Sequence, residues 1–209
     1  LKLSAYNIVM STKLQKDELS IAILSGGKSS RMGYEDKGLM KFNGLSVLSR
    51  IIKISCKYSN DVFIIANNNK EYYEKLHPYI YSDILDNYQG PLSGIYTALS
   101  KCKNKYVIIL PCDGPFISEG YFEKFISYST EQHILVAKTG DRLQPVYARI
   151  SGSLKENLNI FLETGERKID KWYTACGYKE ILFQKDDEMF ININSKDDIK
   201  KNRQIIDKL

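Results

Sequence analysis

The chain has 209 residues, 43% of them hydrophobic and 26% charged, with a formal net charge of +5. This length suits one domain with a sizeable core, and the composition excludes a disordered or fibrous chain. No apolar run reaches the length of a membrane span, so no membrane partner is expected. Residues 1–18 lack the apolar stretch of a signal peptide. We therefore expect a flexible leader at 1–18, one domain at 19–209 and a cytoplasmic location.

Charge distribution and cysteine spacing exclude two further classes of site. The lysines are scattered and form no long basic block, which indicates a solvated surface with a local anion site and no nucleic-acid partner. The four cysteines contain no C-x-x-C pair, and His77 and His133 are the chain's two histidines. A metal site built on histidine and cysteine is therefore not expected, and the cysteines are predicted to be free thiols.

Short apolar runs without alternation predict strands that are covered on both faces, as in a parallel sheet. In chain order these strands are 19–24, 62–66, 79–81, 106–110 and 134–137. Helical patterns lie between them at 45–58, 70–76, 92–102 and 119–128. The alternation predicts a three-layer α/β fold with a doubly wound, mostly parallel, Rossmann-like sheet, in which ligands bind beyond the carboxyl ends of the strands.

The last third of the chain is less regular. It predicts a strand at 145–148, helices at 152–163 and 166–173, and strands near 180 and 190. A final helix is expected after Asn194, because Ser195 is a good N-cap with Asp198 three residues further on.

The first predicted strand runs into "LSGGKSSRMG", which has the residues of an anion-binding loop. A P-loop is excluded, because its first glycine falls on Ala22, inside the apolar run. Gly26 and Gly27 allow backbone N–H groups to approach an anion closely. Arg31 and Lys37 follow, one a planar fork for phosphate oxygens and the other a mobile point charge. A tight turn with two surface cations is the alternative.

Polar residues also follow the later strands. Asp113, after 106–110, is a lone carboxylate of the kind that suits Mg²⁺, with a turn or helix-cap role as the alternative. Asp83 follows 79–81 and is placed to accept hydrogen bonds from a base or a ribose, or to serve as an ordinary turn residue. In "NIN", alternation on a strand would send Asn192 and Asn194 to one face, where capping is the alternative role.

Five stretches together resemble the molybdenum cofactor guanylyltransferases, within the sugar-nucleotidyltransferase-like folds. They are "LSGGKSSRMGYEDKGLMKFNG", "GPLSGI", "LPCDGPFI", "LETGERKI" and "NINSKDDI", in the family's order. The likeness runs from about Ile21 to Ile199. It implies a nucleotidyltransferase that joins GMP from GTP to the phosphate of molybdenum-loaded molybdopterin, with Mg²⁺ as cofactor and pyrophosphate as leaving group. It also implies transient contacts with other proteins of cofactor biosynthesis and with chaperones of apo-molybdoenzymes.

The resemblance assigns roles to individual residues. The implied nucleotide-binding residues are Leu24, Ser25, Gly26, Gly27, Lys37, Asp83 and Asp113. The implied catalytic residues are Lys37, Arg31 and Asp113, the last of these also the metal ligand. Arg167, Lys168, Asn192 and Asn194 are our hypothesis for the pterin substrate, although 166–169 alone would fit a plain surface loop. Ile65 stands where some members carry asparagine, with Asn67 nearby.

Two alternatives stay open at this stage. One is a sibling enzyme on the same fold that uses CTP with molybdopterin, or a nucleotide with a sugar phosphate. The other is a non-catalytic protein that binds GTP or the cofactor as a carrier, against which Asp113 argues.

Overall fold

The computed structural model describes residues 13–25, 37–85, 90–128, 132–185, 187–193 and 195–209, with Lys37 and Lys196 described by their backbone alone. The strands are β1 (Leu19–Leu24), β2 (Lys41–Phe42), β3 (Leu45–Ser46), β4 (Asp61–Ile65), β5 (Ile80–Tyr81), β6 (Tyr106–Pro111), β7 (Ile134–Thr139), β8 (Arg142–Ser151) and β9 (Lys179–Phe183). The helices are α1 (Val47–Tyr58), α2 (Lys70–Glu74), α3 (Pro91–Lys101), α4 (Glu119–Ser127), α5 (Lys155–Glu163), α6 (Ile169–Cys176), α7 (Lys196–Lys201) and α8 (Arg203–Ile206).

Seven of the strands form one sheet in the order β5-β4-β1-β6-β8-β7-β9. β1 pairs in parallel with both β4 and β6, and β4 pairs in parallel with β5. β8 is antiparallel to both of its neighbours, whereas β7 and β9 are parallel to each other. β8 is therefore the single reversed strand of this sheet within the described residues, and the prediction of a mostly parallel sheet is confirmed.

Apolar side chains fill both faces of the sheet. One cluster contains Leu48 and Ile51 of α1 together with Phe122 and Phe125 of α4. The other contains Ile95 of α3, and α5 and α6 contribute Leu158 and Trp172 to it. Helices thus cover the sheet on both sides, as the absence of alternation in the central strands predicted, and the three-layer α/β architecture is confirmed.

Several predicted boundaries shift for local reasons. α1 begins at Val47 and not at 45, because Leu45–Ser46 pairs with Lys41–Phe42 as a small hairpin. The side chain of Ser46 then caps α1 by accepting the N–H of Ser49 at 3.0 Å. The short helix predicted at 166–173 is Ile169–Cys176.

The segment before the last helices differs most from the expectation. The predicted strand near 190 is wrong: residues Glu188–Phe190 form a 3-10 turn, where the Asp187 carboxylate accepts the N–H of Met189 at 3.2 Å. The final helix is confirmed, because the Ser195 hydroxyl accepts the N–H of Asp198 at 3.1 Å.

The predicted leader lies partly outside the described residues. Within the part that is described, the N–H of Leu14 donates to the carbonyl of Ile126 at 3.0 Å, and the Leu14 side chain packs against the core. The division into a leader and one domain stays a prediction. No helix in the described parts of the chain is long and apolar enough to cross a membrane.

The strand directions place the candidate site residues at one edge of the sheet, here called the carboxyl edge. Ser25, Asn67, Asp83 and Asp113 each follow the end of a parallel strand there. α5 starts at the opposite edge, where the N–H of Gly152 donates to the carbonyl of Lys105 at 2.9 Å. Because α5 returns along the sheet, the turn between α5 and α6 also lies at the carboxyl edge.

Candidate active site

The end of β1 is fixed by both neighbouring strands. The N–H of Ser25 donates to the carbonyl of Ile65 at 2.8 Å, and the carbonyl of Leu24 accepts the N–H of Cys112 at 3.0 Å. The hydroxyl of Ser25 lies 2.5 Å from that of the buried Tyr73, one donating to the other. The N–H of Ser25 is thus already used within the sheet. Because the hydroxyl is hydrogen-bonded to Tyr73, we expect Ser25 to contact a nucleotide through its backbone carbonyl.

Asp83 is held by a reciprocal pair of hydrogen bonds with Asn67. The Asn67 amide donates to Asp83 Oδ2 at 2.9 Å, and the Asp83 N–H donates to Asn67 Oδ1 at 2.9 Å. The second carboxylate oxygen, Oδ1, is buried and accepts no hydrogen bond from the described residues. Asn67 therefore orients Asp83 so that one acceptor remains for a hydroxyl or N–H donor, which suits the predicted contact with a nucleotide.

Asp113 lies in the turn after β6, and the segment containing Asn192 is attached to it. The Asp113 carbonyl accepts the N–H of the buried Ile193 at 3.0 Å. The hydroxyl of Tyr147 donates to Asn192 Oδ1 at 3.3 Å. A Cβ placed on Gly114 would come within 2.4 Å of the same hydroxyl oxygen, so the turn passes directly over it. Asp113 and Asn192, 79 residues apart in sequence by their numbers, are thus brought together.

Tyr147 connects this site to the core. Its ring is buried against Phe190 with ring centroids 5.0 Å apart. Burial raises the pKa of its hydroxyl, and the negative charge of nearby Asp113 raises it further. The phenol therefore remains a hydrogen-bond donor throughout the physiological pH range.

The turn between α5 and α6 is organised by Glu166. Its Oε1 accepts the N–H groups of Arg167 at 2.9 Å and Lys168 at 3.1 Å, and its Oε2 accepts a hydrogen bond from Lys171 Nζ. These three interactions, the one with Lys171 first, lower the pKa of the Glu166 carboxyl to about 2. NH1 of Arg167 donates to the carbonyls of Leu162 and Glu166, so this guanidinium also fastens the turn.

Several predicted site residues lie outside the described residues. These are Gly26, Gly27, Arg31 and Asn194, and the side chain of Lys37. The backbone of Lys37 begins a 3-10 turn, Lys37–Leu39, just before the β2–β3 hairpin. The part of the site that the structure brings together is therefore the ends of β1, β5 and β6 with Asn192, and the turn carrying Arg167 and Lys168 at the same edge of the sheet.

The carboxylate of Asp113 is the type of ligand that a magnesium ion binds. Magnesium takes one or two protein carboxylates and completes its shell with water and substrate phosphates. Within the described residues no three side chains of His, Cys, Asp or Glu gather into a metal site. An ion held here would therefore rely on the carboxylate of Asp113, with the remaining ligands supplied by substrate and water.

Two contributors to the site were not assigned from the sequence. Tyr147 lies in the middle of β8, where a tyrosine is expected for packing alone, and no local pattern connects it with Asn192. Glu166 stands in the charged run "GERK", but the N–H groups that it accepts are those of Arg167 and Lys168, which precede α6.

Comparison with known proteins gives the family. Residues 21–177 match the family model described as a MobA-like NTP transferase domain. The chain belongs to this family. A molybdenum cofactor guanylyltransferase of Haemophilus influenzae is 36% identical over 185 residues, which are 88% of this chain and 96% of the relative. One of Vibrio vulnificus is 34% identical over 187 residues, covering 89% and 95%. The chain is thus a nucleotidyltransferase of the MobA-like family.

Solved structures agree with this fold. A protein of Aquifex aeolicus has a TM-score of 0.73 at 25% identity, covering 88% of this chain and 96% of the other. Molybdopterin-guanine dinucleotide biosynthesis protein A from Archaeoglobus fulgidus has a TM-score of 0.70 at 18% identity, covering 91% and 100%. The MobA-like membership and the nucleotidyltransferase fold that the motifs implied are therefore confirmed.

Proposed function

We propose that this chain transfers GMP from GTP to the phosphate of molybdenum-loaded molybdopterin, forming molybdopterin guanine dinucleotide and releasing pyrophosphate. The observation that carries this proposal is the 36% identity to a molybdenum cofactor guanylyltransferase over 96% of that relative's length. The grouping of Asp83, Asp113 and Asn192 at the carboxyl edge supports it, because ligands of open α/β sheets bind there.

The chemistry requires alignment more than proton transfer. The phosphate of the pterin is an anion at neutral pH, so it attacks without a general base. One of its oxygens forms a bond to the α-phosphorus of GTP, and the bond from that phosphorus to the bridging oxygen of pyrophosphate breaks. The protein's part is to hold the two anions in line and to neutralise the charge on the departing pyrophosphate.

We assign these tasks as follows. Leu24, Ser25, Gly26 and Gly27 form the nucleotide loop, and Asp83 accepts a hydrogen bond from the nucleoside. Lys37 and Arg31 neutralise the phosphates of GTP. Asp113 holds Mg²⁺, which would supply charge stabilisation at the transferring phosphoryl group.

We assign the pterin substrate to a second group of residues. Arg167 and Lys168 lie at the carboxyl edge on the turn that Glu166 organises, and they supply positive charge for an anionic substrate. We also assign Asn192 and Asn194 to the pterin, Asn194 lying outside the described residues. The cytoplasmic location and the contacts with other proteins of cofactor biosynthesis stay predictions.

The test is pyrophosphate release from GTP, ATP, CTP and UTP with Mg²⁺, each with and without molybdenum-loaded molybdopterin. We expect release that requires both GTP and the pterin. Release with CTP or another nucleotide would assign the chain to a sibling activity. GTP binding without release would make it a carrier.

Two variants examine the assigned residues in the same assay. We expect Lys37→Ala to lower kcat by about 10²–10³-fold, the usual cost of removing one group that stabilises transition-state charge. The matched control is Lys53→Ala, which replaces an exposed lysine on α1. A wild-type rate in Lys37→Ala would remove that residue from the mechanism.

Asp113→Asn should abolish the response to Mg²⁺. Its control is Asp207→Asn, where the exposed carboxylate pairs with Arg203.

A further inference from the structure

The hydroxyl group of a buried tyrosine, Tyr147, lies at the candidate active site, next to the turn that carries Asp113. Tyr147 is 1% exposed and lies on β8, the reversed strand beside β6. Its ring packs edge-on against Tyr121 and Phe190, with ring centroids 5.9 Å and 5.0 Å apart. Because these contacts hold the ring, the hydroxyl has a fixed position beneath the turn that carries Asp113.

The hydroxyl is in contact with two parts of the site. It donates to Asn192 Oδ1 at 3.3 Å, and the turn at Gly114 passes so closely that a Cβ there would lie 2.4 Å from the oxygen. The backbone on the other side of Asn192 is also fixed, since the Ile193 N–H donates to the Asp113 carbonyl at 3.0 Å. One hydrogen bond from Tyr147 thus holds the amide of Asn192, and one main-chain hydrogen bond from Ile193 holds the adjoining backbone to Asp113.

An amide side chain is otherwise poorly oriented. The terminal torsion of asparagine is broad, so its oxygen and its NH2 group exchange places easily. A phenol can donate or accept a hydrogen bond, and in this structure the Tyr147 hydroxyl donates to the amide oxygen of Asn192. With the oxygen turned toward Tyr147, the NH2 group becomes the part of Asn192 that is left to face a ligand.

We propose that Tyr147 is a positioning residue that fixes the orientation of the Asn192 amide, so that Asn192 presents its NH2 group as a donor to the anionic substrate. This inference rests on the proposed function for the identity of that substrate. It assigns Asn192 to substrate binding and not to the metal shell, and it gives Tyr147 a role that acts through Asn192.

Other buried tyrosines supply a matched comparison. Tyr121 belongs to the same aromatic cluster and is fully buried, but its hydroxyl donates to the main-chain carbonyl of Ile109 at 3.2 Å. Tyr121→Phe therefore removes a buried hydroxyl of the same kind without affecting the orientation of any site side chain. It is the control for Tyr147→Phe.

The first measurement follows the Asn192 amide directly and needs no enzymatic activity. In ¹⁵N-labelled full-length protein, the NH2 signals of Asn192 are identified by their absence in Asn192→Asp. We expect Tyr147→Phe to shift these two signals and to accelerate their exchange with solvent, while Tyr121→Phe leaves them in place. Unchanged signals in Tyr147→Phe would overturn the proposal.

The second measurement is the steady-state rate with GTP and molybdenum-loaded molybdopterin. Loss of the hydrogen bond should lower kcat/KM for the pterin by about 3- to 10-fold in Tyr147→Phe, with KM for GTP unchanged. In an Asn192→Ala background the same substitution should have no further effect. Additive losses would mean that Tyr147 acts through packing, against the proposal.

Asn192→Asp keeps an oxygen that can accept from Tyr147, but it replaces the NH2 donor by a second oxygen and adds a negative charge. We expect it to be at least as impaired as Asn192→Ala, by about tenfold or more, since the lost hydrogen bond is to a charged group and the new charge repels the anionic substrate. Wild-type turnover in Asn192→Asp would show that the oxygen is the group that binds the substrate and would overturn the proposal.

Failure of the proposed function can be distinguished from failure of this inference. If the wild-type protein releases no pyrophosphate with the pterin, the proposed function fails, whereas the NMR comparison still decides whether Tyr147 orients the Asn192 amide.

Discussion

Position 114 requires glycine because a neighbouring hydroxyl group leaves no room for a Cβ, and not because the backbone has an unusual conformation. It is not one of the glycines with positive φ, so an L-residue could adopt its conformation. The space above it is taken instead, because a Cβ would lie 2.4 Å from Tyr147 Oη while the next ring atom, Cζ, is 3.5 Å away. The glycine in "PCDG" therefore depends on a residue 33 positions further along, which no local pattern reveals.

This contact predicts a rescue between two substitutions. Gly114→Ala should lower the free energy of unfolding by about 1–3 kcal/mol, the usual cost of overpacking. In a Tyr147→Phe background the same change should cost much less, because the 3.5 Å contact that remains is an ordinary one. Denaturant unfolding of the four proteins measures both values. Equal penalties in the two backgrounds would contradict the predicted contact.

The turn between α5 and α6 is held by hydrogen bonds and an ion pair to one carboxylate. A single carboxylate, Glu166, accepts the N–H groups of Arg167 and Lys168 and pairs with Lys171. The predicted helix 166–173 missed this feature, since three residues that were expected to be helical instead form the turn before α6. This turn thus determines where the two predicted pterin-binding cations lie.

The pKa of Glu166 predicts how this turn responds to acid. Its value falls from 4.5 to about 2 on folding, so the ionised carboxylate stabilises the folded chain. That contribution is complete above the unfolded pKa and is lost as the pH falls toward the folded value. The melting temperature of wild type should therefore exceed that of Glu166→Gln at neutral pH, with the difference shrinking below pH 4.5. A difference that does not change with pH would rule out the charge as its cause.

At the scale of the whole molecule, one sheet separates two apolar clusters. Trp172, the chain's one tryptophan, is fully buried in the cluster formed by α3, α5 and α6. Its indole N–H donates to Asn157 Oδ1 at 2.9 Å. Leu48, on α1, is fully buried in the cluster on the other face. Trp172 fluorescence therefore reports on one face while a substitution is made on the other.

Because the central strands serve both clusters, we expect the two faces to unfold together. Leu48→Ala should lower the free energy of unfolding by about 2–5 kcal/mol, the range for a buried leucine that leaves a cavity. The Trp172 fluorescence transition and the far-ultraviolet circular dichroism transition should shift by the same amount. A fluorescence midpoint that stays in place while the dichroism midpoint moves would show that the faces unfold separately.

Apart from the β2–β3 hairpin, the sequence alone determined the order of strands and helices from residue 19 to 137 and the edge of the sheet where Asp83 and Asp113 lie. Those features follow from local periodicity and from the rule that polar residues after parallel strands meet at one edge. The tertiary structure alone decided that β8 is reversed, that Asn67 holds Asp83, and that Tyr147 reaches Asn192. Each of these depends on pairing between residues far apart in the chain, and the pairing is set by the packing of the whole fold and not by neighbours in sequence.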